Sequence, residues 1–268
     1  MDKIGLLFIK NPIDYLSRLV FNVISELGSM SRFTQQSILS IFTPPYKRTI
    51  TRIQMDQIGV GSLPIVALTG LFMGFVSALQ SIVELRSIGA TSYLGRPLGT
   101  TIVREMGPVL ASMMIAARAG SAIAAELASM TIAEQIDALR AEGSDPIKKL
   151  VEPRLVACTI MTPVLTIICD LIAFVGGSFI ATRAVQISSF FYWDSIMEVL
   201  TPAFIWGGVI KATSFGFLIG IIACYYGMKP GFGSQAVGEA TTRSVVTTAI
   251  SILALDFLLT KIFIITWW

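Results

Sequence analysis

The chain has 268 residues, 54% of them hydrophobic and only 14% charged, with a mean hydropathy of +0.74 and a formal net charge of +3. Soluble domains are about a quarter charged, so this composition describes an integral membrane protein. Histidine is absent, which removes the commonest general base and metal ligand, and so small a charge with no dense basic cluster leaves no electrostatic footprint for nucleic acid.

Residues 4–30 set Tyr15, Leu16, Leu19, Val20, Val23, Ile24 and Leu27 on one face, with Lys10, Asp14, Arg18 and Glu26 elsewhere. This rhythm predicts an amphipathic helix lying at the membrane interface ahead of the first span. The apolar stretch "IGLLFI" is too short for a signal-peptide core and no small-residue cleavage site follows it, so the start is expected to remain on the cytoplasmic side. Residues 32–56 continue in the same mixed style and are broken by Pro44-Pro45. The expected organisation is an interfacial elbow over 1–56 and one membrane domain over 57–268.

Five apolar segments predict five spans: 57–83, 107–125, 155–182, about 201–228 and 244–268. The first carries no charge. Pro202, Gly207 and Gly208 leave open a separate short helix at the start of the fourth. Thirteen Lys and Arg fall on the N-terminal side of the membrane against four on the other, which places the N-terminus inside and, after five spans, the C-terminus outside. Trp267-Trp268 suits an aromatic anchor at the outer interface.

Five ionisable residues lie within these spans: Arg118, Asp170, Lys211, Asp256 and Lys261. Each costs about 2.5–3.5 kcal/mol at a helix centre on insertion scales, so each is expected to pair inside the bundle or to snorkel, as Lys261 near the chain end can. Arg118 and Asp170 share mid-depth in neighbouring spans and can neutralise one another. Arg118, Asp170 and Asp256 are read as structural charges. Lys211 has no carboxylate one turn away on its own span. The second span also carries Ala116, Gly120 and Ala124 at i, i+4, i+8, a small-residue ridge that predicts a tightly packed central helix.

The most polar stretch is "LASMTIAEQIDALRAEGSDPIKKLVEPR". Thr131 followed by Glu134 reads as a capping box and Gly143 as a helix stop, which predicts a short helix over 131–142 with Ile132, Ile136 and Leu139 on one face. Such a helix is either a surface turn or an element on which a partner pushes. "GSQAVGEA" (233–240) misses a P-loop because Glu239 stands where the phosphate-binding Lys should be, and "GFGSQA" (231–236) has no strand before it. Cys158, Cys169 and Cys224 lie in apolar runs without C-x-x-C spacing and are expected as buried thiols. No catalytic or metal constellation is present in the pattern. A channel would repeat polar residues at i, i+4 along a span, and an enzyme would converge His, Cys or paired carboxylates; neither pattern is found. A structural anchor gives no reason to keep Lys211 at membrane depth.

"REMGPVLASMMIAARAGSAIAAELASM" (104–130), continued by "EQIDALRAEGSDPIKKLVEPRLVA" (134–157), resembles the signature of the MlaE/YrbE permease family, the membrane subunits of MCE-type ABC lipid transporters. "ATTRSVV" (240–246) and "LDFLLT" (255–260) resemble that family's C-terminal pattern. Met106 replaces the usual Leu of R-E-L-G-P. The resemblance implies an all-α bacterial inner-membrane permease, an interfacial N-terminal helix and five spans. It further implies a second copy of the chain, an ABC ATPase subunit that binds ATP and Mg in place of any cofactor here, and a periplasmic MlaD-like MCE-domain hexamer. A small STAS-domain protein often accompanies the ATPase. The implied substrate is phospholipid or a related lipid moved between inner and outer membranes. The implied coupling helix carries Thr131, Glu134, Gln135, Asp137 and Leu139, and the implied lipid-cavity positions are Glu105 and Lys211.

Overall fold

The computed structural model describes residues 12–41, 48–87, 93–184, 186–231 and 233–266, with Thr43 and Gly89 between them. Within these the chain is helical and holds no strand. Helix α1 (Pro12–Ile41) precedes five long apolar helices: α2 (Arg48–Ser87), α3 (Gly95–Ile132), α5 (Ile147–Arg183), α7 (Pro202–Gly227) and α8 (Gln235–Thr266). Two short helices interrupt them, α4 (Gln135–Ala141) between α3 and α5 and α6 (Ser189–Val199) between α5 and α7.

The five expected spans are all present, and each of the first three helices outruns its apolar segment. Hydropathy marks the stretch that sits in hydrocarbon, whereas a helix continues into the polar flank for as long as its backbone bonds are made. Arg48, Thr51, Arg52 and Asp56 are therefore helical although they lie outside the first apolar run. Span four is one unbroken helix: Pro202 stands at its first turn, where a missing N–H costs nothing, and Gly208 serves close packing instead of a break.

Small residues set the bundle's interior. Helices α2 and α5 run against each other so closely that a Cβ on Gly74 would meet the Ala173 carbonyl oxygen at 2.0 Å. Helix α7 lies between α3, α5 and α8, and a Cβ on Gly216 would stand 2.5 Å from the Cys158 carbonyl oxygen. Lipid offers no hydrophobic drive between helices, so backbone approach and van der Waals contact carry the association. The ridge read in the second span packs as expected: Ala116, Gly120 and Ala124 are buried, and a Cβ on Gly120 would stand 3.4 Å from Ile219 of α7. Cys158, Cys169 and Cys224 are buried and free.

Helix α1 returns to the bundle at the end of α7. Ser29 and Tyr225 share a hydroxyl hydrogen bond, Tyr226 donates to Glu26 at 3.0 Å, and Phe33 packs edge-on to Tyr225. Phe21, Ile24 and Leu27 are exposed on α1. The side chains of Tyr15, Leu16, Leu19, Val20 and Val23, together with Pro44-Pro45 and Trp267-Trp268, lie outside the described residues.

Candidate functional site

The centre of the bundle holds a charge cluster drawn from three spans. Lys211 of α7 is fully buried. Its ammonium donates to Glu105 Oε2 at 2.6 Å, to Thr260 Oγ1 at 2.7 Å and to the Arg104 carbonyl oxygen at 3.0 Å, and it pairs with Asp256 Oδ1 at 2.9 Å. The Thr260 hydroxyl donates in turn to Glu105, at 3.2 and 3.3 Å from the two carboxylate oxygens. Asp256 and Thr260 stand one turn apart on α8 and so share a face.

Local backbone geometry aims Glu105 at this point. Residues Ile102–Met106 form a wide π turn, closed by the Gly107 N–H on the Ile102 carbonyl, and such turns rotate the following side chains off the regular helical stripe. The Arg104 guanidinium lies over the Phe204 ring, 5.1 Å from its centroid, while its backbone carbonyl accepts from the Lys211 ammonium. A buried ammonium is tolerated only when paired and hydrogen-bonded; Lys211 has both. The cluster is nevertheless not sealed. The Glu105 side chain keeps 34% of its surface and Asp256 keeps 19%, against none for Lys211.

Lys211, without a carboxylate one turn away on its own span, finds its partners on other helices. Its carboxylates come from the neighbouring spans α3 and α8, and the two expected cavity residues meet as a closed ion pair of which only Glu105 reaches the surface. Asp256, expected as a structural charge, is paired with Lys211 at 2.9 Å. Thr260 and the Arg104 carbonyl were not legible as members, although Asp256 and Thr260 at i, i+4 on a span were an available signal.

The expected neutralisation of Arg118 by Asp170 does not occur. Asp170 presses on Gly107, where a Cβ would fall 1.8 Å from its Oδ1, and that oxygen has no hydrogen-bond partner among the described residues. It stands on an apolar cavity of about 140 Å³ lined by Val103, Thr166, Ile167, Leu171 and Phe174. Arg118 lies three turns further along α3, about 16 Å along the axis from Gly107. Its Nη1 donates to the Gln57 carbonyl at 2.9 Å and to Ser62 Oγ at 3.2 Å, both on α2.

At the polar end of α3 the capping box is not made. Thr131 remains in the last turn of α3, and its hydroxyl is directed to the Leu127 and Gly227 carbonyls at 2.8 and 3.3 Å. A Thr hydroxyl bonding back along its own helix is the local competitor of a cap. Glu134 instead takes a left-handed conformation (φ 58°), and α4 begins at Gln135. Gly143 does end the helix, at φ 75°, with the Ser144 N–H on the Leu139 carbonyl at 3.0 Å. Ile132 is thus not on the short helix; Ile136 is its buried anchor and Leu139 is half-buried. Glu134, Gln135 and Asp137 are exposed, with Asp137 bonded to Arg140 at 2.8 Å. Glu126 pairs with buried Arg154 at 2.9 Å, which ties the end of α3 to the start of α5 and braces the loop between them.

Five long apolar helices, three of which share the Lys211 ion cluster, with one short polar helix between the second and third, define a multi-pass membrane protein. Residues 51–262 match the family model "Permease MlaE", and the chain belongs to the MlaE permease family. It is 41% identical over 238 residues to a probable ABC transporter permease protein of Rickettsia conorii, covering 89% of this chain and 92% of that one. It is 36% identical over 210 residues to the intermembrane phospholipid transport system permease protein MlaE of Haemophilus influenzae, covering 78% and 80%. The protein TRIGALACTOSYLDIACYLGLYCEROL 1, chloroplastic, of Arabidopsis thaliana is 35% identical over 210 residues, covering 78% and 60%.

Proposed function

We propose that this chain is the membrane subunit of an ABC transporter that moves phospholipid between inner and outer membranes, with ATP hydrolysis supplied by a partner ATPase and an MCE-domain assembly on the periplasmic side. The family and the names of the Rickettsia and Haemophilus relatives support the class. The observation that carries the reading is the Lys211 cluster: an ammonium held at full burial by a carboxylate that stays one-third exposed. An amphiphile with a charged headgroup needs such a place, because a headgroup crossing hydrocarbon must find fixed polar partners. Glu105 and Thr260 would meet the headgroup first, while the exposed Leu253, Phe257 and Leu258 of α8 offer apolar surface to the tails.

In this reading two copies form the working unit, the N-terminus is cytoplasmic, the C-terminus is periplasmic, and α1 lies along the inner membrane surface with Phe21, Ile24 and Leu27 in the lipid. The exposed face of α4, with Glu134, Gln135 and Asp137 flanking half-buried Leu139, would dock on the ATPase. Ile136 and the Glu126–Arg154 pair would transmit its movement to α3 and α5; Thr131 joins α3 to the end of α7 and acts there as a brace. A STAS-domain protein on the ATPase is compatible with this arrangement.

The test is lipid transfer in vesicles containing the permease with its ATPase and MCE partners. Glu105→Gln is expected to insert and assemble normally yet lower lipid-stimulated ATP hydrolysis and transfer by roughly tenfold or more, the loss of one charge-assisted contact. Unaltered transfer would remove the cluster from the lipid path, and absence of any lipid effect on hydrolysis in the wild type would overturn the transporter reading itself.

A further inference from the structure

Arg118 is the one intramembrane charge in α3 to which the central cluster gives no role. Its guanidinium lies across α2: a Cβ on Gly61 would stand 2.4 Å from both Nη1 and Nη2. The contacts it makes, to the Gln57 carbonyl and Ser62 Oγ, are both to neutral oxygens and both through Nη1. Among the described residues no carboxylate pairs with it, and Arg118 is exposed. The surface around it is made of small residues, Ala117, Ser121 and Ala122, of which Ala117 and Ala122 are exposed. About 12 Å along the axis separates Arg118 from Glu126, whose pair with Arg154 marks the polar end of the helix.

A guanidinium at such a place, with two of its nitrogens unused, is suited to an anion. Its positive charge within a span is costly without one, its free Nε and Nη2 edge presents parallel donors in the geometry that suits a phosphate, and the small side chains beside it leave room for a group larger than a carboxylate. Carboxylates of the described residues do not pair with it: Glu126 is committed to Arg154, Asp170 is three turns away on Gly107, and Asp56, beside the Gln57 whose carbonyl Arg118 holds, makes no ion pair with it.

We propose that Arg118, laid over Gly61 and held by Ser62, is a binding site for the phosphate of a phospholipid headgroup, separate from the Lys211 cluster and on the side of the bundle nearer the α4 loop. The choice of a lipid phosphate over free phosphate rests on the phospholipid reading above and on the position of Arg118 inside a span. The site holds a headgroup one side of the bilayer away from Glu105, so a lipid would meet two separate polar stations in the same permease.

The experiment places a photoreactive benzoylphenylalanine at Ala122, one turn from Arg118, in the full-length chain reconstituted without ATP or partners. The vesicles contain either phosphatidylglycerol with phosphatidylethanolamine or a neutral diacyl galactolipid. Capture of phospholipid is expected, with at least about tenfold less capture of galactolipid and a similar fall in Arg118→Gln, the loss of one charged pair of bonds. Arg118→Lys should retain an intermediate level. Excess inorganic phosphate is expected to leave capture unchanged. Equal capture of the two lipids, unchanged capture in Arg118→Gln, displacement by inorganic phosphate, or crosslinking to a second copy in place of lipid would each overturn the proposal. If Arg118→Gln does not fold, the comparison of the two lipids on the wild-type background still decides. Because capture is read at equilibrium, a failure of transport and a failure of this site are separate results.

Discussion

Helices α7 and α8 are neighbours, both long and apolar enough to cross a membrane. Yet 67% of the apolar stretch of α7 is buried within the chain, against 17% of that of α8. Helix α7 is enclosed by protein, with Gly208 and Gly216 close against the backbones of α3 and α5 and Lys211 at full burial. Helix α8 touches the bundle along one stripe, Ala236, Ala240, Ser244, Thr248 and Ile252, and turns Val246, Ile250, Leu253 and Phe257 outward. In a bilayer an outward apolar face carries no penalty, so hydropathy decides insertion and leaves packing undetermined. What separates the two helices is the density of small residues and the placement of a charge.

The largest effect is expected where α7 carries its charge. Lys211→Ala leaves Glu105 and Asp256 facing each other without their ammonium, and removing one partner of a buried ion pair costs about 3–5 kcal/mol. Unfolding of the purified permease in detergent should show that loss, and Thr260→Val on α8 a smaller one, because only the relay from Lys211 to Glu105 is cut. If Lys211→Ala is as stable as the wild type, the cluster is not a buried structural centre and the contrast between α7 and α8 loses its main support.

Glycine substitutions sharpen the contrast at intermediate size. Gly216→Ala in α7 forces a methyl to 2.5 Å from a backbone oxygen of α5, an overpacking expected to cost about 1–3 kcal/mol. Gly238→Ala in α8 meets nothing within 4 Å and should be neutral or stabilising by up to about 1 kcal/mol through helix propensity. The same detergent unfolding assay reads both, and equal effects would show that α7 is no more tightly packed than α8.

Much of this was legible in the chain. Long apolar runs, only the first of them free of charge, marked all five spans, and the Ala116, Gly120, Ala124 repeat announced the packed face of α3, because both depend on residues close in sequence. Partnerships between helices were not legible. Asp256 and Lys261 lie within a turn or so of each other in the sequence, yet it is Lys211, on another span, that Asp256 pairs with, since only the crossing of α7 and α8 decides which charges meet. The Arg118–Asp170 expectation failed for the same reason: equal depth was assumed, while three helical turns separate the points on α3 that the two groups occupy. Thr131 failed locally, where a hydroxyl with a choice between capping forward and bonding back to Leu127 took the second. Composition around Thr131 does not encode that choice; the approach of the Gly227 carbonyl from α7 does.

The smallest effect on folding, and the most informative for assembly, belongs to the outer face of α8. Leu253 and Phe257 are 53% and 68% exposed, so Leu253→Ala with Phe257→Ala deletes side chains that touch little within one copy. Its unfolding in detergent should stay within about 0.5 kcal/mol of the wild type, the usual range for surface substitutions. If the proposed second copy packs on this face, the same pair of substitutions removes its apolar contacts and lowers the dimer fraction, which light scattering or crosslinking through Leu253→Cys can report. Native Cys158, Cys169 and Cys224 are buried and should not compete for an exposed crosslinker. A disulfide-linked dimer through position 253, together with a dimer fraction lowered by the double alanine variant, would mean that α8 is covered in the working protein much as α7 is covered within one chain. The contrast between the two helices would then belong to the single copy alone. An unchanged dimer fraction and no crosslink would leave α8 facing lipid and place the interface on another span.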